Sequence, residues 1–316
     1  MGLPRQVFFE TLTEIAKKDE SIVILDADVA RSTGSEIFRK AFPCRFLSVG
    51  VAEQNMLGVS AGISLAGKKP YASTFAVFAV ERPFEIIRNT IAYSKLNVKI
   101  VATHAGVGVG PDGASHQANE DMGVMRLLPN MTIVVPSDAT MAKAVAQVSL
   151  KHQGPMYIRL GRSAVQDLPE VKNFKIGKTI LRCPGSDIGI VSCGAIVSGA
   201  IESAQELDRE GISIAVLECP TIKPLDTNAI IKLAKSVKLL ISIEEHSVIG
   251  GLGSAVAECI PNESPIPLFR IGIPDEFSES GTMDELLEKY CLKGDRLINR
   301  IREIYMIFKR KREFFK

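Results

Sequence analysis

Neither sign of charge is in real excess in this sequence: 38 Lys and Arg stand against 36 Asp and Glu over 316 residues, a formal net charge of +2. That leaves no field arguing for a nucleic-acid or anionic-membrane partner. The one basic run, Lys309, Arg310, Lys311 and Arg312, reads as the solvated end of a helix. No uninterrupted apolar segment approaches the length that spans a bilayer. The opening residues, MGLPRQVFFETLTE, carry acids and no apolar core, unlike a secretory signal, and Gln6 stands where a myristoylation motif needs Ser or Thr. The six cysteines (Cys44, Cys183, Cys193, Cys219, Cys259, Cys291) form no CxxC pair and no metal-like spacing with the four histidines. This usage points to a reducing cytoplasm. Short repeats and low-complexity tracts are also lacking.

What is present is apolar patterning. With 46% hydrophobic residues the chain can bury a large core in two domains. Residues 4–18 predict an amphipathic helix with Pro4 in its first turn. Strands at 21–25, 46–49, 71–75, 98–103, 132–135 and 156–160 then alternate with helices at 34–41, after Glu53, 84–96, 122–127 and 139–151. The pattern lapses over 166–184 and resumes with strands at 188–191, 212–217, 239–243 and 268–271. The intervening helices fall at 197–209, 227–234, 254–260 and 283–291, and a long helix starts at 295. The fold class expected is α/β, two consecutive domains (1–165 and 185–316, with a linker at 166–184), each a mostly parallel sheet flanked by helices. Gly250, Gly251 and Gly253 suit a tight turn into a helix.

The chain is organised around GVAEQNMLGVSAGISLAGKKPYASTFAVF, which starts at Gly50. Glu53 follows a β-rich run and opens a segment with Met56, Val59, Ile63 and Ala66 at helical spacing, so a carboxylate stands just past a strand end. Two readings are open on this segment alone. Glu53 is a first-turn acid complementing the helix dipole, or a carboxyl in apolar surroundings with a raised pKa that donates or relays a proton.

A second cluster lies in THAGVGVGPDGASHQANED. Its glycines superficially suggest a phosphate loop, but the GK[ST] ending is lacking and no helix follows directly. The loop's polar flanks matter more. His104, Asp112 and His116 put two imidazoles and a carboxylate where they can face one cleft. Phe75 and Phe78 are spaced three apart, as core aromatics often are.

VAEQNM, STFAVF and the His104–His116 loop, in that order and spacing, resemble the pyrimidine-binding half of transketolases. The resemblance implies that Glu53 hydrogen-bonds the aminopyrimidine of thiamine diphosphate and is catalytic, and that Phe75 and Phe78 line the cofactor pocket. It implies that His104, beside the reacting carbonyl, and His116, which helps hold the substrate, are also catalytic, and that Asp112 reads a sugar hydroxyl. Arg5, Ser32 and Arg162 match the phosphate end of the substrate site; for Arg5 and Ser32 a surface arginine and a helix N-cap are equally open. The sequence departs from the family at His116, where some members carry Gln, at Glu81, where some carry Tyr, and at Ala52, where many carry Arg.

A diphosphate domain, with its GDG and following asparagine, is not found. The expectation is therefore the C-terminal subunit of a split transketolase, with no metal ligands of its own. It would be active in an α2β2 assembly with a subunit that carries the diphosphate domain and most of the magnesium site. The reaction implied is two-carbon ketol transfer between sugar phosphates in the pentose phosphate pathway. Alternatives are the beta subunit of a 2-oxoacid dehydrogenase, a deoxyxylulose phosphate synthase-like enzyme, or a non-catalytic scaffold. His104 with the DGASH loop favours transketolase.

Overall fold

Strands covered on both faces need no polar alternation, and the central strands here have none: KIVAT, IGIVS and IAVLE are each buried along their full length. The computed structural model describes residues 2–314, with side chains through residue 310. Its first half runs α1 (Pro4–Ala16), β1 (Ile22–Asp26), α2 (Ala30–Thr33), α3 (Glu36–Ala41), β2 (Phe46–Ser48), α4 (Glu53–Leu65), β3 (Lys69–Phe75), α5 (Ala76–Val80), α6 (Phe84–Ile86), β4 (Lys99–Thr103), α7 (Asp121–Arg126), β5 (Thr132–Val134), α8 (Ala139–Ser149) and β6 (Met156–Arg159). The second half runs β7 (Ile180–Cys183), β8 (Ile188–Ser192), α9 (Val197–Arg209), β9 (Ile214–Glu218), β10 (Thr221–Lys223), α10 (Thr227–Ser236), β11 (Leu239–Ser247), α11 (Leu252–Cys259), β12 (Leu268–Ile273), α12 (Met283–Lys289) and α13 (Gly294–Phe314). Lys309 and Arg310 are exposed on α13, whereas the side chains of Lys311 and Arg312 lie outside the described residues.

Two mostly parallel sheets result, flanked by helices as the alternation predicts. The first has the order β10-β5-β6-β4-β3-β1-β2 and the second β12-β11-β8-β9-β7. Each carries one antiparallel edge, β10 against β5 and β7 against β9. Both edges depart from the sequence expectation. Ile180–Cys183 belongs to the second sheet, although it falls inside the expected 166–184 linker. β10 belongs by sequence to the second half yet pairs Thr221 with Val134 of the first sheet. One buried cluster accordingly runs from Ile100 and Met122 in the first half to Val191, Leu217 and Leu240 in the second. The helix expected at 84–96 is a single α-turn followed by wider π-type winding over Ile87–Ala92.

The topology gathers the site. β2, β1, β3 and β4 are neighbours, and their C-terminal ends align through Asp26 with Ser48, Asp26 with Ser73 and Phe75 with Thr103. The loops leaving these ends lie at the edge where α/β sheets collect ligand-binding groups.

Candidate active site

Glu53 is the first residue of α4, buried to 3% exposure, and Ala52 before it offers no capping side chain. Met56, Leu57, Ser60 and Ala61 bury the same face of the helix and fix its entry. The carboxylate is not alone. Arg82 Nη1 donates to Glu53 Oε1 at 2.9 Å and to Oε2 at 2.8 Å. The expectation of a carboxyl in purely apolar surroundings is thus corrected. Sequence reasoning missed Arg82 because an arginine between Glu81 and Pro83 looks like an ordinary surface turn.

From Arg82 a ladder of flat groups runs to the end of β4. The guanidinium lies 4.1 Å from the Phe78 ring centroid, and Phe78 and Phe75 are near-parallel at 6.2 Å. Phe75 in turn packs on His104 at 4.1 Å, and His116 meets the edge of Phe78 at 5.3 Å. Four of the predicted residues, Phe75, Phe78, His104 and His116, therefore touch one another, with Glu53 joined through Arg82. Glu81 points elsewhere. Burial, then its hydrogen bond to Glu120, pushes its carboxyl up to about 7, while Arg82 pulls it down.

His104 follows β4 with φ at +58°, in the left-handed region that residues other than Gly adopt uncommonly, Asn, Asp and His more often than the rest. That turn presents the ring to Phe75, while Thr103 Oγ1 lies 2.9 Å from Nδ1. Burial first, then the charges of Arg5, Arg162 and His116, lowers its pKa to about 3. The imidazole is therefore neutral at physiological pH and offers both a donor and an acceptor.

The two arginines form the opposite end. Arg5 Nη1 donates to the Arg162 carbonyl and Arg5 Nε to the Ser32 carbonyl, the latter at 2.9 Å. Arg162 Nη1 donates to the Val109 carbonyl at 2.5 Å and lies 3.3 Å from Asp112 Oδ2. Ser32 is interior to α2, whose N-cap is Val29, so the helix-cap reading of Ser32 does not hold. The contact it makes here is through its backbone, and its side chain is exposed.

The glycine loop that superficially resembled a phosphate cradle has another occupant. Glu245, on β11 and 6% exposed, accepts from the Gly108 N–H at 2.7 Å. Gly106 has φ at +73°, and a Cβ there would fall 2.4 Å from Glu245 Oε1. Beneath the loop, Arg159 Nε donates to Asp121 Oδ2 at 2.8 Å, and Arg159 Nη2 to the carbonyls of Ala118 and Glu245. A second β11 acid, Glu244, accepts from the N–H groups of Leu252 and Gly253 at the start of α11, and Gly250 supplies the turn with φ at +83°. Sequence reading passed over Glu244 and Glu245, since acids at a strand end look solvated. Among the described residues, no group of three or more His, Cys, Asp or Glu side chains is arranged to hold a metal ion, and no helix is long and apolar enough to cross a membrane.

With this geometry in view, the matches to known proteins are specific. Residues 4–167 match the transketolase pyrimidine-binding domain and residues 177–297 the transketolase C-terminal domain. A Methanocaldococcus jannaschii protein named for the C-terminal section of transketolase is 46% identical over 95% of both chains. A 6-deoxy-6-sulfo-D-fructose transketolase subunit from Clostridium sp. strain MSTE9 is 38% identical over 95% of this chain and 94% of its own. A solved structure described as a split gene transketolase, an inactive beta4 tetramer, superposes with a TM-score of 0.89 at 45% identity, covering 96% of this chain and 99% of its own. Two family domains in sequence, spanning most of the chain, and relatives aligned nearly end to end establish that this chain belongs to the transketolase family.

Proposed function

We propose that this chain is the C-terminal subunit of a split, thiamine-diphosphate-dependent transketolase that moves a two-carbon ketol unit from a ketose phosphate to an aldose phosphate in the cytoplasm. The observation that carries the reading is the ladder from Glu53 through Phe78 and Phe75 to His104, with Arg5 and Arg162 at its far end. Its donor set fits the aminopyrimidine end of the cofactor. A nearly buried carboxylate stands beside an aromatic face that already accepts a flat, nitrogen-bearing group, the Arg82 guanidinium. When bound, the cofactor supplies the carbanion chemistry needed to cleave a carbon–carbon bond beside a carbonyl.

The chain's own residues would then divide the remaining work. Glu53 would hold the pyrimidine ring by a carboxyl–nitrogen hydrogen bond, with Phe75 and Phe78 fixing the plane of that ring. His104, held neutral, would donate a hydrogen bond to the substrate carbonyl oxygen as charge grows on it, with Thr103 Oγ1 against its other ring nitrogen. Asp112 would accept from a sugar hydroxyl, and His116 would brace the substrate. Arg5 and Arg162, whose present partners are carbonyls and the exposed Asp112, suit a dianionic phosphate that would displace those weaker acceptors. A separate subunit would bring the diphosphate domain and magnesium, giving an α2β2 assembly.

The test is ketol transfer from xylulose 5-phosphate to ribose 5-phosphate with thiamine diphosphate and magnesium, for this chain alone and mixed with a diphosphate-domain subunit. Turnover only in the mixture supports the proposal. An inactive but demonstrably assembled mixture overturns it. The Clostridium relative is named for a sulfo-sugar, and the arginine end suits a sulfonate as well as a phosphate. A 6-sulfo ketose belongs in the same assay to fix the donor.

A further inference from the structure

The chain's buried acids show what a folding ion pair looks like here. Asp121 and its partner Arg159 are 1% and 6% exposed, and Glu218 and its partner Arg182 are 0% and 7%. Both members of each pair are sealed, as expected when a charge is buried for good. Glu53 is paired differently from these two: the acid is 3% exposed but its partner Arg82 is 45% exposed, an asymmetry that Lys238 and Lys178 also show beside the less deeply buried Asp187 and Asp226. The contact is also of the weaker kind. A single nitrogen, Nη1, bridges both carboxylate oxygens, instead of two nitrogens meeting two oxygens in parallel. The backbone of Arg82, by contrast, is held, its carbonyl accepting from Gln54 Nε2 at 3.0 Å and Pro83 following. The side chain itself is 45% exposed, so a path into solvent is open to it.

The place it occupies is specific. The guanidinium is flat, lies 4.1 Å from the Phe78 centroid, and offers an N–H to both oxygens of Glu53. A flat heteroaromatic ring with an exocyclic amine would make the same two contacts, a face on Phe78 and an N–H on Glu53. The two groups cannot be there together.

We propose that Arg82 is a built-in place-holder for the aminopyrimidine: it caps Glu53 and covers Phe78 in the empty chain, and swings out when the cofactor enters. The inference rests on the thiamine diphosphate reading above and adds a gate to it. Without a cation, an empty site would leave a buried carboxylate unpaired, which is costly. With one, the chain folds and waits for its partner at the cost of competing with the cofactor.

This competition gives two effects of opposite sign, and the experiment reads both. Arg82→Gln and Arg82→Lys are made in the full chain. Unfolding of the chain alone is followed in urea, and thiamine diphosphate binding to the assembled two-subunit complex, with magnesium, is measured by titration calorimetry. A place-holder predicts that Arg82→Gln lowers the urea midpoint of the empty chain yet tightens cofactor binding by about tenfold. Arg82→Lys, which keeps the charge but cannot spread over the ring, is expected between wild type and Arg82→Gln on both axes. The double variant Glu53→Gln/Arg82→Gln should recover the midpoint lost by Arg82→Gln. If Arg82 merely supports the pocket, stability and affinity fall together, and that outcome overturns the proposal, as does unchanged affinity. If the wild-type complex binds no thiamine diphosphate, the underlying reading fails and the place-holder with it. Should Arg82→Gln fail to fold, Arg82→Lys carries the same two-way test.

Discussion

Glu53 and His104 illustrate opposite ways of holding an ionisable group out of water. Glu53 keeps a countercharge; His104 gives up its proton. If Glu53 anchors the cofactor ring, Glu53→Gln, which keeps the shape and removes the acid, lowers turnover of the assembled enzyme by roughly 10²- to 10⁴-fold. Sedimentation would show the assembly intact; turnover within a few-fold of wild type would refute the role. His104 makes a prediction for the chain alone. Its pKa is lowered to about 3, chiefly by burial, whereas an unfolded histidine titrates near 6.5. Below about pH 6.5 the unfolded chain therefore binds a proton that the native ring refuses, and stability falls as pH drops toward 3. The slope contributed is about 1.4 kcal/mol per pH unit. His104→Asn, chosen because Asn tolerates the left-handed backbone, should remove that contribution. The urea-unfolding free energies of wild type and variant should therefore converge as pH is lowered from 7 to 4. A constant difference across that range would show that native His104 takes up its proton as readily as the unfolded chain does.

At the scale of elements, the site depends on a loop pressed against a strand of the other sheet. Gly106 combines φ of +73° with a would-be Cβ 2.4 Å from Glu245 Oε1, so neither strain nor crowding can be relieved without moving the loop. Gly106→Ala is predicted to cost about 2 kcal/mol or more in urea unfolding and to lower turnover, because the same loop carries Asp112 and His116. A variant with wild-type stability would mean the loop shifts freely. Such contacts also mark the limit of what the sequence discloses. The parallel strands were legible because IVILD, KIVAT and IAVLE are short, apolar and bounded by helical patterns. The antiparallel edges were not. ILRC is half exposed and TIK is three residues long, so neither carries an apolar run. At the site, Phe75, Phe78, His104 and His116 were legible because they cluster within motifs, and the structure brings them into contact. Arg82, Glu244 and Glu245 were not, since a charged residue reads as solvated until its partner, distant in sequence, is known.

The whole molecule is less divisible than its two family domains suggest. β10 crosses back to complete the first sheet, and one apolar cluster includes residues of both halves. Polar contacts reinforce the join: Arg159 on β6, buried, holds the Glu245 carbonyl on β11, and the half-buried Lys223 Nζ donates to the carbonyls of Arg126 and Leu128. Removing the second half would strip β5 of its antiparallel neighbour, expose the apolar surface beneath it, and leave the Arg159 guanidinium short of an acceptor. An unpaired strand edge beside apolar surface is a template for aggregation. The chain should therefore unfold in a single transition, with calorimetric and van't Hoff enthalpies in agreement, although two separate transitions would be ordinary for two domains of this size. A fragment of residues 1–167 should in turn fail to give a soluble, cooperatively folded monomer. Two resolved transitions in the full chain, or a stable 1–167 monomer, would show that the β10 pairing and the shared core are a docking contact between independent domains. In that case the site's geometry would be set by the first domain alone, and Glu245 would be dispensable to it.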